Sequence, residues 1–455
     1  MFEKLKQCKT LKQIYEVLGN KPFEIVALLI IAIWVILPVI QGISQIEIGF
    51  NDNYSLAREY MVMSDYQHNV ESLGIFTLEF AIVFLLGRFL LNKGQILKKI
   101  KSEPWHFLLL FMLFWACIST ALSDDPKTSF FGTDYRFDGL ETYFFYAAVY
   151  TCTFIIAKSN YRKIILFLFA MVGNVVSILV IMQDAGNEIL NQCFQGVRAA
   201  MFFQFNHTGY YLNMAIICSM GLYLYESSRK WRIVYLLSMI LQIFAILVNS
   251  TFGSFLASWC ALVMILVFFV RSQGKYSWRM ATPIIVVVAL CVASYFGYIP
   301  TSSGQDMKYN MEMLFDDFFN IVEDNEDADD AGHGRMTLWK QGLKMIPKRP
   351  VFGYGPEQMD EELSEIMWVD RPDNEFIQHA IFLGIPGLVF YLSALISLFG
   401  HQWREMKRLE TTTLIAAGCV IAYLVSAMFG NTMFYTTPYL YMFLAFASGR
   451  TKSSS

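Results

Sequence analysis

Five arginines, Arg136, Arg198, Arg335, Arg349 and Arg371, stand in polar segments that run into long apolar stretches. Near them in sequence lie Asn206, His207, Tyr210, Asp373 and Asn374. A guanidinium keeps its charge at any working pH and forks onto the oxygens of an anion. Two or three together suit an anionic ligand, and a neighbouring carboxylate or imidazole suits removal of a proton. The densest such stretch is Arg371-Pro372-Asp373-Asn374-Glu375-Phe376-Ile377-Gln378, which enters an apolar helix interrupted by Gly384 and Gly387. Polar groups at the lip of a bilayer are costly unless something uses them, so this lip is the first candidate for an active site.

Each residue also has a purely architectural reading. Asp373 follows Pro372 at a helix start, where it is well placed as an N-cap; bonds to backbone N–H groups would make it a poorer base. The two roles are not exclusive. Asn206 and Thr208 can cap the helix that follows them, and His207 is either a group beside the substrate or an interfacial histidine bonded to a carbonyl. Arg136 stands just before an apolar span, where a structural arginine would have to snorkel to headgroups. In 335–346, Met336, Trp339, Leu343 and Ile346 share one helical face. Pro347 ends that helix, and the turn Arg349-Pro350-Val351-Phe352-Gly353-Tyr354-Gly355-Pro356 follows. Helix and turn together suit a lid that points Arg335 and Arg349 inward; the alternative is an interfacial helix whose cations meet headgroups. Helices opening at Asn206 and Asn374 would add positive dipole ends.

The elements that must position these groups are membrane helices. Of 455 residues 55% are hydrophobic and 16% charged, against about a quarter charged in a soluble protein, and the mean hydropathy is +0.43. The expected fold is an all-α polytopic membrane bundle of about twelve spans, near 23–43, 73–91, 105–122, 140–157, 164–182, 207–225, 233–249, 253–270, 280–299, 374–398, 411–429 and 433–448. Residues 1–299 form an N-terminal bundle, 300–373 a long extracytoplasmic loop carrying amphipathic helices, and 374–455 a C-terminal bundle. With both termini cytoplasmic, 24 of the 35 Lys and Arg fall inside, and seven of the other 11 lie in the long loop, as the positive-inside rule expects. The basic start of the chain lacks the apolar core of a cleavable signal and suits a helix on the inner leaflet.

Other chemistries find little support. Only Cys193 of the eight cysteines falls outside, and no CxxC or His/Cys cluster suggests disulfides or zinc. Asn51-Asp52-Asn53 suits a solvated loop better than a metal site. The run Glu323 to Asp330 has six acids in eight positions but lacks the glycine and the glutamate of a calcium loop. Neither a metal nor another cofactor is expected, nor a nucleic-acid partner.

Four blocks, in order along the chain, resemble the bacterial O-antigen ligase and O-antigen polymerase superfamily, integral membrane glycosyltransferases of the GT-C type. Arg136-Phe137-Asp138-Gly139 resembles its Arg-x-x-Gly before a span, and Asn206-His207-Thr208-Gly209-Tyr210 its Asn-His-x-Gly-Tyr block. Arg335 to Gly355 resembles its block ending Arg-Pro-x-Phe-Gly-x-Gly. Asp373-Asn374, nine residues, then Gly384-x-x-Gly387 resembles its His-Asn-x9-Gly-x-x-Gly signature. The resemblance implies transfer of a glycan from undecaprenyl diphosphate to an acceptor hydroxyl on a glycan or a lipid, at the outer face of the bacterial cytoplasmic membrane, without metal. Arginines would neutralise the diphosphate, and the signature histidine would activate the acceptor. Here Asp373 replaces that histidine, and Phe252 stands where many ligases place an arginine. Both departures tilt the expectation toward a polymerase over a ligase. The competing class is a transporter or flippase of lipid-linked sugars, which should expose charge midway through its spans.

Overall fold

The computed structural model describes residues 6–51, 56–91, 102–134, 136–157, 160–194, 198–273, 278–299, 301, 308–309, 311–313, 315–316, 334–359 and 370–449. Among these the regular elements are helices. In chain order they are α1 (Leu11–Leu18), α2 (Lys21–Asn51), α3 (Leu56–Leu91), α4 (Trp105–Ala121), α5 (Pro126–Phe131), α6 (Leu140–Ile156), α7 (Tyr161–Asp184) and α8 (Glu188–Cys193). Then come α9 (Phe205–Tyr225), α10 (Arg229–Asn249), α11 (Phe252–Gln273), α12 (Ala281–Tyr295), α13 (Arg335–Met345), α14 (Glu375–Glu405), α15 (Thr411–Ser426) and α16 (Thr437–Ala447). The acidic run from Glu323 to Asp330 lies outside the described residues.

Eight of the described helices are long and apolar enough to cross a membrane, and α4, α6 and α16 are shorter apolar helices. Each of the twelve expected spans coincides with a helix, but length and apolarity by themselves give eight, not twelve. The exception in character is α9. It carries Asn206, His207, Thr208, Tyr210, Tyr211 and Asn213, and it is buried from Asn206 to Leu224. It is the axis of the bundle, packed against α7, α10, α11 and α15. Small residues allow that approach. A Cβ at Gly209 would strike Ser254 at the tight α10–α11 hairpin, and one at Gly221 would meet Ile415 at 2.5 Å. The lipid-facing side is the reverse: Leu86 and Phe89 of α3 and Ile396 of α14 are exposed.

The turn at 349–355 is anchored to a break in α14. Gly384 has φ +67° in the middle of that helix, and Pro386 follows. The break frees the carbonyls of 381–383, and inside a bilayer freed carbonyls must find donors. Tyr354 N donates to Ile381 O at 2.9 Å and Gly355 N to Phe382 O at 3.0 Å, while Ile385 N donates to Pro350 O at 2.8 Å. From α4, Ser119 Oγ donates to Phe382 O at 2.7 Å and Trp115 Nε1 to Leu383 O at 2.9 Å. Two separate glycine motifs are thus two halves of one joint. The face that α13 buries most deeply is Leu338, Gly342 and Met345; of the expected Met336–Trp339–Leu343–Ile346 face, Leu343 is exposed and the other three are half-buried. Gly342 decides it, because its bare Cα lets α13 approach Ile377 of α14.

Candidate active site at the polar end of the bundle

After a short 3-10 turn at Ala427–Phe429 that follows α15, the seven residues leading into α16, Gly430-Asn431-Thr432-Met433-Phe434-Tyr435-Thr436, hold the site together. They are too short to look like a domain in sequence, yet Arg371, Asp373 and His207 all touch them. Thr432 meets Asp138, Gln378 and Arg371. Asn431 Nδ2 donates to Asp373 Oδ1 at 2.7 Å, and Thr436 Oγ1 lies 3.2 Å from His207 Nδ1.

At the centre Arg371 separates two buried carboxylates. Its Nη1 lies 2.9 Å from Asp138 Oδ2 and donates to Thr432 O at 3.0 Å, and its Nη2 donates to Glu357 Oε1. Asp138 also accepts from Gln378 Nε2 and Tyr146 Oη, each at 3.2 Å. Glu357 accepts from Thr133 Oγ1 at 2.9 Å and from Asp138 N at 3.2 Å. Burial pushes Glu357 up from its ordinary 4.5 to about 7, against the pull of Arg371 and with a further push from Asp138. Burial would weaken the Arg371 guanidinium as an acid-stable cation, but Glu357 and Asp138 outweigh it and hold its pKa well above the usual arginine range. Every strong acceptor of Arg371 is thus part of the protein. It is a strut, not a free cation.

The other arginines are held less completely. Arg136 forks onto Asp370, with Nε and Nη2 each 2.5 Å from a carboxylate oxygen. Burial raises Asp370, yet the hydrogen bond and charge of Arg136 bring it below the ordinary carboxylate value. Arg335 Nε lies 3.6 Å from Asp373 Oδ2, beyond hydrogen-bond reach, and that buried nitrogen has no hydrogen-bond partner. Arg349 pairs with the exposed Asp124 at the rim and stacks over Tyr354 at 4.8 Å. Arg198 does not join them. It is buried against Asp184 at 3.8 Å and Val248 O at 3.1 Å, where it ties the α7–α9 connection to α10.

Two expected caps are corrected. Asn374 caps α14, accepting from Phe376 N at 3.0 Å and Ile377 N at 3.1 Å, and donating to Met428 O at 3.2 Å. Asp373 does not cap; it sits one residue before, at φ +48°, with its carboxylate turned to Arg335 and Asn431. At α9 the N-cap is Gln204, with no side-chain cap bond, so neither Asn206 nor Thr208 has that task. Thr208 Oγ1 donates instead to Ala199 O at 2.6 Å. His207 is buried between Tyr210 and Tyr435, with ring centroids 5.3 Å away in each case, and Tyr210 Oη donates to Ser426 O at 2.8 Å.

Backbone strain concentrates here. Phe137, Glu357 and Asp373 have φ of 46°, 63° and 48°, a region that costs on the order of 1–3 kcal/mol for such residues and collects at functional sites. Asp138, Glu357, Asp370, Gln378 and Thr432 were not singled out in sequence. Asp138 lay inside a quoted motif, and Glu357 follows directly on Gly355-Pro356; a buried arginine calls for such acids, but nothing in sequence pairs them across 219 positions.

The Arg136–Asp370 fork, the Arg335–Asp373 pair and the capped, broken helix α14 form one constellation of cations, carboxylates and a helix N-terminus. No curated protein matches the chain. Residues 237–392 match the O-antigen ligase family, a stretch that includes Arg335, Arg349, Glu357, Arg371, Asp373 and Gly384 but not Arg136, Asp138 or His207. That match over residues 237–392, together with the apolar helices, points to a bacterial integral membrane protein that is similar over this stretch to the O-antigen ligase family.

Proposed function

We propose that the protein transfers a glycan from an undecaprenyl-diphosphate donor to an acceptor hydroxyl at the outer face of the cytoplasmic membrane, as a polysaccharide polymerase rather than a ligase. The observation that carries this reading is the Arg335–Asp373 pair: a cation with an unpartnered donor, beside a carboxylate at a helix start, at the end of a membrane bundle. Arg335 would meet the diphosphate first, because it gives up least; a charge-assisted bond to phosphate is stronger than what it has. Arg136 and Arg349 can follow by exchanging Asp370 and Asp124 for phosphate oxygens. Arg371 and Arg198 would stay in place, shaping the site without touching the donor.

Once Arg335 turns to the phosphate, Asp373 is left with Asn431 and is free to accept a proton from the acceptor hydroxyl. That oxygen attacks the anomeric carbon, and the bond from that carbon to the phosphate oxygen breaks with its electrons going to the diphosphate. His207, buried and bonded to Thr436, is the weaker candidate for the base. The proposed frame is twelve spans with both termini cytoplasmic, no metal, and the 300–373 segment over the mouth.

The test is purified protein in vesicles with an undecaprenyl-diphosphate oligosaccharide, following carrier release and product length. Ladders indicate a polymerase and single additions a ligase. Movement of the donor across the bilayer without carrier release would sink the transferase reading in favour of transport.

A further inference from the structure

One turn into α14, below the Asn374 cap, a carboxylate and an imidazole face each other inside the bundle. Glu375 is 1% exposed and His379 3%. His379 Nε2 lies 3.5 Å from Glu375 Oε1, and Tyr391 Oη donates to that same oxygen at 3.2 Å. Glu375 Oε2 and His379 Nδ1 are buried without hydrogen-bond partners, as is the hydroxyl of Tyr143 on α6. The His379 ring packs edge-on against Tyr391 at 4.9 Å and Tyr143 at 6.4 Å. Tyr210 of α9, Tyr423 of α15 and Tyr441 of α16 complete the groups that feel the Glu375 charge. No lysine or arginine among the described residues forms an ion pair with it.

A lone carboxylate in such surroundings costs far more than one tyrosine bond offsets. An acid and an imidazole that hold one extra proton between them are electrically neutral, whichever of the two carries it. We propose that Glu375 and His379 are a proton-sharing pair that takes up the proton released by the acceptor hydroxyl, a role that rests on the transferase reading above. The acceptor oxygen bonds to the anomeric carbon, and the carbon–phosphate oxygen bond breaks with its electron pair leaving on the diphosphate. The proton passes from Asp373 inward, leaving the pair as carboxylic acid and imidazolium.

Two observations give this transfer a direction. The adjoining network sets three carboxylates, Asp138, Glu357 and Asp370, against two guanidiniums, Arg371 and Arg136, so it is negative when Glu357 is ionised and offsets a positive charge placed beside it. Tyr143 stands beside the pair: its ring meets that of His379 edge-on at 6.4 Å, and its buried hydroxyl has no hydrogen-bond partner. The pair acts through Asp373 and does not touch the substrate.

The test uses the full chain in vesicles with the undecaprenyl-diphosphate oligosaccharide. Glu375→Gln and His379→Gln should each lower kcat about tenfold or more, leave the donor KM within about twofold, and remove the same limb of the pH–kcat profile. The double variant should be no worse than either single one, because the two act as a unit. Tyr391→Phe keeps the ring, drops only the hydroxyl, and should shift that limb. Unchanged profiles in all these variants overturn the proposal. Infrared difference spectra between acid and alkaline pH, recorded without donor, examine the pair independently of turnover. The wild type should show a buried carboxylic acid signal coupled to a histidine signal, both lost in Glu375→Gln. Absence of that signal in the wild type overturns the pair; its presence in a protein that releases no carrier overturns the transferase reading alone.

Discussion

Replacing Arg371 with methionine keeps most of the side-chain volume and removes the cation between Asp138 and Glu357. Both carboxylates stay buried, Asp138 at 0% exposure and Glu357 at 5%. Asp138 keeps Gln378, Thr432 and Tyr146, and Glu357 keeps Thr133 and one backbone N–H. Removing one partner of a buried pair costs roughly 3–5 kcal/mol, because the remaining charge is uncompensated. Glu357 has a way out: it titrates near 7 even with Arg371 beside it, and without that cation it binds its proton more tightly. The loss should therefore be near the low end of the range below pH 7 and near the high end above it. Unfolding in detergent on each side of that midpoint measures both. Arg371→Met with Glu357→Gln should recover part of the loss and cancel the pH difference. An Arg371→Met protein as stable as the wild type above pH 7 would refute the strut, and would return Arg371 to the cations available for a ligand.

Arg335→Gln should raise the donor KM about 10- to 100-fold, the equivalent of one charge-assisted bond of roughly 1.5–3 kcal/mol, with little change in unfolding; an unchanged KM would remove Arg335 from the donor site. Asp373→Asn should lower kcat about a hundredfold or more, while His207→Ala should chiefly lower stability. Steady-state kinetics beside unfolding curves separates the two, and the reverse pattern would exchange their roles. Glu357 is raised from 4.5 to about 7 by folding, so the folded protein holds a proton that the unfolded chain has released. Its contribution is present at low pH and fades as pH rises through 7. Glu357→Gln should flatten that slope, and a wild-type stability that climbs across the window would contradict the assignment. At Gly384 the positive φ and the nearby Val351 carbonyl leave no room for a Cβ, so Gly384→Ala should cost about 1–3 kcal/mol and loosen the 349–355 turn, read as faster proteolysis there.

The helices were legible in sequence because apolar length is a local property. Each expected span has its helix, down to the short α16 with Pro438 in its first turn. Caps were less legible. Asp and Asn at 373 and 374 are equally good cap residues by type, and only the backbone at φ +48° moves the cap to Asn374. The arginines were found, but their roles were not, since a saturated strut and an open ligand differ only in what they touch. Arg198 proved to be held by Asp184, and Arg371 by Glu357 and the distant Asp138, pairings that no local pattern marks. The 430–436 connection went unnoticed for a related reason. Its asparagine and threonines are common loop residues, and their importance lies in reaching Asp373, Asp138 and His207 together.

The most direct measurement of the central claim is single-turnover release of undecaprenyl diphosphate by purified wild-type protein and Arg335→Gln, at saturating acceptor and increasing donor. The expected result is carrier release matched one for one by glycan addition in the wild type. The Arg335→Gln curve should reach its plateau only at much higher donor. Glycan addition without carrier release, or identical donor curves for the two proteins, would contradict diphosphate capture at this site.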